Sequence, residues 1–285
     1  MGETRWRKIL YEKQPFADNY VSRDDFLSGL RKNVTVRLHS YQWLVLHSLP
    51  ITRQLATLLV FVSFFHGLHT GRITAHQLIF LANVTTLIFY AAWVGHVWRS
   101  GEGTDKQAGK QAGKSGILFM LALLGLTPIL KTLTEDTASD SIWMLSSIAL
   151  GINFAFFDYR MPPEGKLRGD DSMALNAAIF ASVLLASRLP SNAHVFGLMS
   201  LAVVWFALLP PLLRAMQQRR PTLHILVSLG IIGGAFGMLM AVDVRGAVLY
   251  VLLAIFISFI SPAVFVYMQR YKNQIHGPWD EAKIQ

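Results

Sequence analysis

The sequence has 285 residues, 53% hydrophobic and 15% charged, with a formal charge of +9 and no cysteine; its mean hydropathy is +0.40. Average chains are roughly a quarter charged, whereas here the charges are bunched between long apolar runs, which excludes an ordinary soluble domain. The missing cysteines exclude disulfides, thiolate catalysis and cysteine-ligated metals, and the basic balance is better explained by membrane topology than by nucleic acid.

Hydrocarbon leaves room only for helices and closed barrels, and these runs are too long and too apolar for barrel strands. The expectation is an all-α integral membrane protein: a polytopic bundle of about eight transmembrane helices with an N-terminal amphipathic interfacial helix. Residues 1–48 form a cytoplasmic N-terminal region, 49–268 the eight-span domain and 269–285 a cytoplasmic tail. The first forty residues are charged and show no signal peptide.

In the N-terminal region Ser22 and Asp25 make a capping box. After it Phe26, Leu30, Val34, Leu38, Tyr41 and Val45 recur at three- and four-residue steps, predicting one helix with an apolar face. Such a helix lies in the headgroup region or against a partner. Tyr41 and Trp43 suit an interfacial depth, and Pro50 marks the turn into the bilayer.

Eight apolar segments follow, near 50–69, 76–98, 116–133, 141–158, 173–189, 193–213, 221–241 and 246–268. The fifth is the doubtful one, because it is short and contains Asn176, Ser182 and Ser187. With eight spans and a cytoplasmic N-terminus, 22 of the 26 Lys and Arg residues fall on the cytoplasmic side, leaving only Arg72, Lys131, Arg188 and Arg245 opposite. That imbalance places both termini in the cytoplasm and supports counting the fifth segment. Residues 99–114, rich in Gly, Gln and Lys, read as a flexible connector. In the seventh span Gly230, Gly233, Gly234 and Gly237 stand at four-residue steps, a packing seam within the protein or with a partner.

Polar groups in or beside the spans are the candidates for function: Asn83, Lys131, Glu135, Asn153, Asp158, Asn176, Arg188 and His194. Lys131 lies about one turn deeper than a charge is normally left, so it either snorkels or meets a lipid phosphate or a partner. Asp158 closes a span at the cytoplasmic edge, where a solvated helix-end carboxylate is the plain alternative. Arg188 runs against the positive bias and is either functional or a headgroup anchor. Asn153 and Asn176 read as interhelical glue. The histidines show no metal spacing, no serine nucleophile elbow is present, and no metal or cofactor is expected. There is also no Asp-X-Asp motif and no soluble stretch approaching the ~100 residues that a nucleotide-binding domain needs.

Several polar words in the chain are distinctive: LYEKQPFADNYV (Leu10 to Val21), FLSGLRKN (Phe26 to Asn33), TPILKTLTEDTASDSI (Thr127 to Ile142), FFDY (Phe156 to Tyr159), LNAAIFASVLLASRLPSNAHVF (Leu175 to Phe196) and IHGPWDEAKI (Ile275 to Ile284). In these words, and in their order along the chain, the sequence resembles the PIG-C family, membrane subunits of phosphatidylinositol N-acetylglucosaminyltransferase. That family belongs to the complex that begins glycosylphosphatidylinositol (GPI) anchor synthesis on the endoplasmic reticulum membrane. The resemblance implies partnership with a separate catalytic glycosyltransferase subunit, other subunits of the complex, phosphatidylinositol and membrane lipids. It implies no catalytic residue in this chain. Arg99, Asp158, Tyr159, His276 and Trp279 are then expected, on the cytoplasmic side, to contact the lipid headgroup or partners, whereas Lys131, Glu135 and Arg188 face the lumen in structural or partner contacts. Two alternatives stay open: a polytopic lipid transporter or scramblase, and an integral-membrane transferase using Asp158 as base.

Overall fold

The computed structural model of the chain describes residues 13–17, 20, 30–33, 38–99, 106–134, 136–160, 171–273 and 275–276. Eight helices follow one another among them: α1 (Tyr41–His69), α2 (Ala75–Arg99), α3 (Lys106–Thr132), α4 (Ser139–Phe156), α5 (Ser172–Ala186), α6 (Asn192–Arg219), α7 (Pro221–Val242) and α8 (Val244–Tyr271). Two two-residue strands, β1 (Arg31–Lys32) and β2 (Ile275–His276), pair antiparallel. The protein is an all-α membrane bundle. Five helices are long and apolar enough to cross a membrane, namely α1, α6, α7, α8 and the Lys114–Thr132 part of α3. The described part of α2 (Ala75–Ala91) and α5 are apolar but shorter. At about 1.5 Å per residue, the 15 residues of α5 reach roughly 22 Å, less than an ~30 Å hydrocarbon core.

Local signals account for several helix limits. Gly71, at φ +71°, turns the chain after α1. Thr74 Oγ1 then accepts from Gln77 N–H while Gln77 Oε1 accepts from Thr74 N–H, a reciprocal box that starts α2. Asp243 caps α8 by accepting from the N–H groups of Arg245 and Gly246. Two helices widen into π turns directly before prolines: Val203–Leu208 before Pro210 and Pro211, and Phe256–Ile260 before Pro262. A proline lacks the N–H and crowds the carbonyl four residues back, and the wider turn accommodates both defects.

The chain divides into two compact units, Met1–Leu46 with Phe259–Gln285, and His47–Ser258. In the first, β1 pairs with β2, and Gln269 clasps His39 by accepting from its N–H at 2.9 Å and donating to its carbonyl at 3.2 Å. In the second, α6 is the central element. It is apolar around its circumference, and Val195, Leu198, Leu201, Ala202 and Phe206 are buried against Phe61, Phe65 and Leu68 of α1, Leu78 of α2, Leu123 of α3, Ala149 of α4 and Ala181 of α5. Over their most apolar stretches α1 and α6 are 56% buried, whereas α3, α7 and α8 are 11% buried and present apolar faces outward. An aqueous solvent would not tolerate such faces, and lipid or a partner helix would.

Several expectations are corrected. The single amphipathic helix expected over Phe26–Val45 is not formed: Arg31 and Lys32 are extended and paired with Ile275 and His276, and Asn33 sits at φ 59°, a left-handed turn that ends helical continuation. The rest of that stretch before Leu38 is only partly described. Pro50 does not turn the chain but lies inside α1, where helical neighbours tolerate it. The connector over 99–114 is helical from Lys106, because Lys, Gln and Ala favour the helix by more than its two glycines oppose it.

The glycines of α7 meet no packing neighbour: a methyl group built on Gly230, Gly233, Gly234 or Gly237 would find nothing of the described chain within 4 Å. Close approach occurs instead at Gly197 of α6, where such a methyl would lie 3.2 Å from Ile79 Cγ1 and 3.5 Å from the Ala75 carbonyl oxygen of α2. Gly197→Val therefore destabilises the purified chain by about 1–3 kcal/mol through overpacking, while Gly234→Val leaves its melting temperature within about a degree. Thermal melts of both variants in detergent check the contrast.

Candidate functional site

At the end of the second unit where α4 and α6 finish and α5 and α7 begin, polar side chains converge. Their order starts in α4. Asn153, 2% exposed, accepts from Gln54 Nε2 of α1 at 2.8 Å and donates to the Ala174 carbonyl of α5 at 2.8 Å, joining three helices. The chain then leaves the helix, and Tyr159 folds back so that its hydroxyl donates to the Phe154 carbonyl, one of the carbonyls left open at a helix end.

Asp171, immediately before α5, is the hub of this turn. Its carboxylate accepts from Asp158 N–H at 2.9 Å and pairs with Arg214 Nη2 of α6 at 2.5 Å. Arg214 is 6% exposed; it also donates to the Asp158 carbonyl and lies 5.5 Å from the Phe157 ring centroid. Its charge is thus neutralised and stacked, which is what permits its burial. Asp158 is paired outward, accepting from Arg160 Nε at 2.9 Å. Burial pushes its carboxyl upward, but hydrogen bonds from the Arg160 side chain and backbone, with the charges of Arg160 and Arg214, hold it below the ordinary carboxylate range. Burial pushes the Tyr159 phenol up, against the charge of Arg53.

Deeper in the same cluster Arg53 of α1 is 6% exposed and lies 2.6 Å from His224 Nε2, with Ser228 Oγ at 3.4 Å, both on α7. The cavity between Gln54, Asn153, Phe157, Asp171, Trp205 and Pro210 has a volume of about 20 Å³, room for a water molecule and not for a sugar nucleotide.

The opposite end of α4–α6 is closed differently. Lys131 Nζ donates to the Pro190 carbonyl at 3.0 Å, and Arg188 Nη2 donates to the carbonyls of Thr134 and Thr137 at 2.6 Å. Both cations fasten the α3–α4 turn to the α5–α6 turn. His194 bonds Ser191, and Asn83 bonds its own helix at the Ile79 carbonyl. Asn176, expected beside Asn153 as glue, is exposed and takes no part in the cluster. Arg99 ends α2 and His276 pairs in β2, but their side chains lie outside the described residues, as do Glu135 and Trp279 altogether.

Similarity to known proteins covers nearly all of the chain. Residues 6–280 match the GPI2 family, described as phosphatidylinositol N-acetylglucosaminyltransferase. The chain belongs to that family. Among relatives of this GPI2-family chain, a human protein named as a subunit of phosphatidylinositol N-acetylglucosaminyltransferase is 37% identical over 284 residues, covering 99% of this chain and 94% of the relative. The Schizosaccharomyces pombe protein named as the GPI2 subunit of the same transferase is 34% identical over 279 residues, covering 97% and 86%. The Saccharomyces cerevisiae GPI2 subunit is 23% identical over 297 residues, covering 98% of each. No solved structure matches significantly.

Of the residues expected to matter, Asp158, Tyr159 and Asn153 meet in one cluster. Arg53, Gln54, Asp171, Arg214 and His224 complete it and were not singled out from the sequence. Arg53 and Arg214 look there like ordinary flanking cations; the available signal was Arg53's place inside an apolar run. If Asp171 neutralises Arg214, then Asp171→Asn destabilises the protein by about 1–3 kcal/mol by leaving a buried cation unpaired, and adding Arg214→Met recovers most of the loss. A double-mutant cycle of melting temperatures in detergent measures this.

Proposed function

We propose that this GPI2-family chain is a non-catalytic membrane subunit of the complex that transfers N-acetylglucosamine from its UDP sugar to phosphatidylinositol. In that complex it scaffolds the catalytic subunit and presents the lipid acceptor at the cytoplasmic face of the endoplasmic reticulum membrane. Family membership across residues 6–280 carries the proposal. It is supported by the helical content: between α1 and α8 no stretch outside a helix approaches the roughly 100 residues that a fold binding a sugar nucleotide takes.

The division of labour has a physical rationale. The donor is soluble and the acceptor's inositol is tethered to two acyl chains, so a subunit that fixes the lipid relative to the active site raises effective concentration. Asp158 and Tyr159, with the partner-facing candidates Arg99, His276 and Trp279, are assigned to that cytoplasmic surface. The alternative in which Asp158 is a catalytic base is disfavoured, because a carboxylate paired with Arg160 and held below its ordinary range is a weak proton acceptor near neutral pH.

Purified chain alone shows no transfer of N-acetylglucosamine to phosphatidylinositol, and adding it to the catalytic subunit raises activity at least about tenfold; transfer by the chain alone would overturn the proposal. The cysteine-free sequence makes topology directly measurable. A cysteine introduced at Gly103 reacts with an impermeant maleimide from the cytoplasmic side of sealed microsomes, and one at Ser191 reacts only after permeabilisation.

A further inference from the structure

The two buried arginines of the second unit differ in how their charge is met. Arg214 pairs with Asp171, whereas Arg53 makes no ion pair among the described residues. Arg53 is buried, lies within electrostatic reach of Arg214, and rests on neutral groups. A guanidinium only donates, so His224 Nε2 must accept its hydrogen bond, which leaves the ring neutral. Ser228 Oγ, the second acceptor, passes its own proton to the His224 carbonyl at 2.8 Å. Both bonds leave Arg53 from Nη1. The Nε and Nη2 edge, the one whose parallel donors match two oxygens of a phosphate, makes no hydrogen bond among the described residues.

A buried cation without counter-charge is strongly unfavourable, and one inside a membrane span marks a site for an anion. The surroundings say what kind of anion. His224 and Ser228 lie on α7, whose neighbouring Leu223, Leu226 and Leu229 are exposed and apolar. An occupant approaching along this face meets hydrocarbon surface first and, at its end, a positive charge that has no ion pair among the described residues. We infer that the α1–α7 seam at Arg53, His224 and Ser228 binds the phosphodiester of a membrane phospholipid, with Nε and Nη2 of Arg53 bridging two phosphate oxygens and the acyl chains lying against α7. This deepens the proposal that the chain presents phosphatidylinositol, and rests on it for the identity of the lipid. The seam reads the phosphate and the chains; the inositol ring is left to groups nearer the interface.

The test titrates the purified full-length chain, within its transferase complex, with dioctanoyl phosphatidylinositol, and uses dioctanoylglycerol and inorganic phosphate as controls. The phospholipid raises the melting temperature; dioctanoylglycerol, which lacks the phosphate, does not. Arg53→Gln weakens the phospholipid response at least about tenfold and Arg53→Lys less, because lysine keeps the charge and loses the fork. On the wild-type complex, independently of any variant, a phosphatidylinositol carrying a diazirine next to its phosphate labels peptides containing Arg53 or His224. Inorganic phosphate acting as strongly as the phospholipid would overturn the assignment to a lipid. Unchanged phospholipid binding by Arg53→Gln, with loss of the catalytic subunit on purification, would overturn it in favour of a partner carboxylate while leaving the proposed function intact. Arg53-dependent binding in a complex whose transferase activity survives removal of this chain would instead sink the presentation role and leave the site standing.

Discussion

The pairing of Arg214 with Asp171 organises the polar end of the second unit. Arg214 is carried into the bundle by α6, one of its two enclosed helices, and without a carboxylate its charge would be left among apolar helices. Asp171 supplies that carboxylate from the start of α5 while accepting the Asp158 N–H that follows α4. One side chain thus fixes three chain segments, and Asn153 repeats the device between α1, α4 and α5. In a low-dielectric setting such satisfied networks hold helices in one arrangement, which apolar contacts alone specify less sharply.

The same division runs through the packing. α1 and α6 are enclosed, whereas α3, α7 and α8 turn most of their apolar surface outward and α7 leaves its glycine face open. Lipid or a partner helix can cover such surface. The two ends of α4–α6 also differ in kind. One is closed by Lys131 and Arg188 on backbone carbonyls, which suits a structural fastening; the other buries Arg214 against Asp171 and Arg53 against the neutral His224 and Ser228.

Much of the fold was legible in the sequence because hydropathy is a direct record of burial in lipid. The eight apolar segments reappear in order as helices α1–α8, of which five are, among the described residues, long and apolar enough to cross by length and composition alone. Local signals were less secure. The three- and four-residue period at Phe26–Val45 spoke for a helix, but the left-handed Asn33 and the pairing of Arg31 with His276 prevailed, since that pairing joins residues remote in the chain. The glycine steps in α7, read as a seam within the protein or with a partner, meet nothing of the described chain, and close approach within the bundle occurs at Gly197 of α6. Within the cluster, Asp158 and Tyr159 were legible as polar residues at a span end. Arg53 and His224 were not, because 171 positions separate them and nothing local in either segment anticipates the other.

The central claim is that this chain handles the acceptor and the donor is held elsewhere. Photoaffinity labelling of the intact native complex with a UDP-N-acetylglucosamine analogue, followed by separation of the subunits, tests it most directly. Label confined to another subunit, and competed by unlabelled donor, is the predicted result. Competable label recovered on this chain would contradict it.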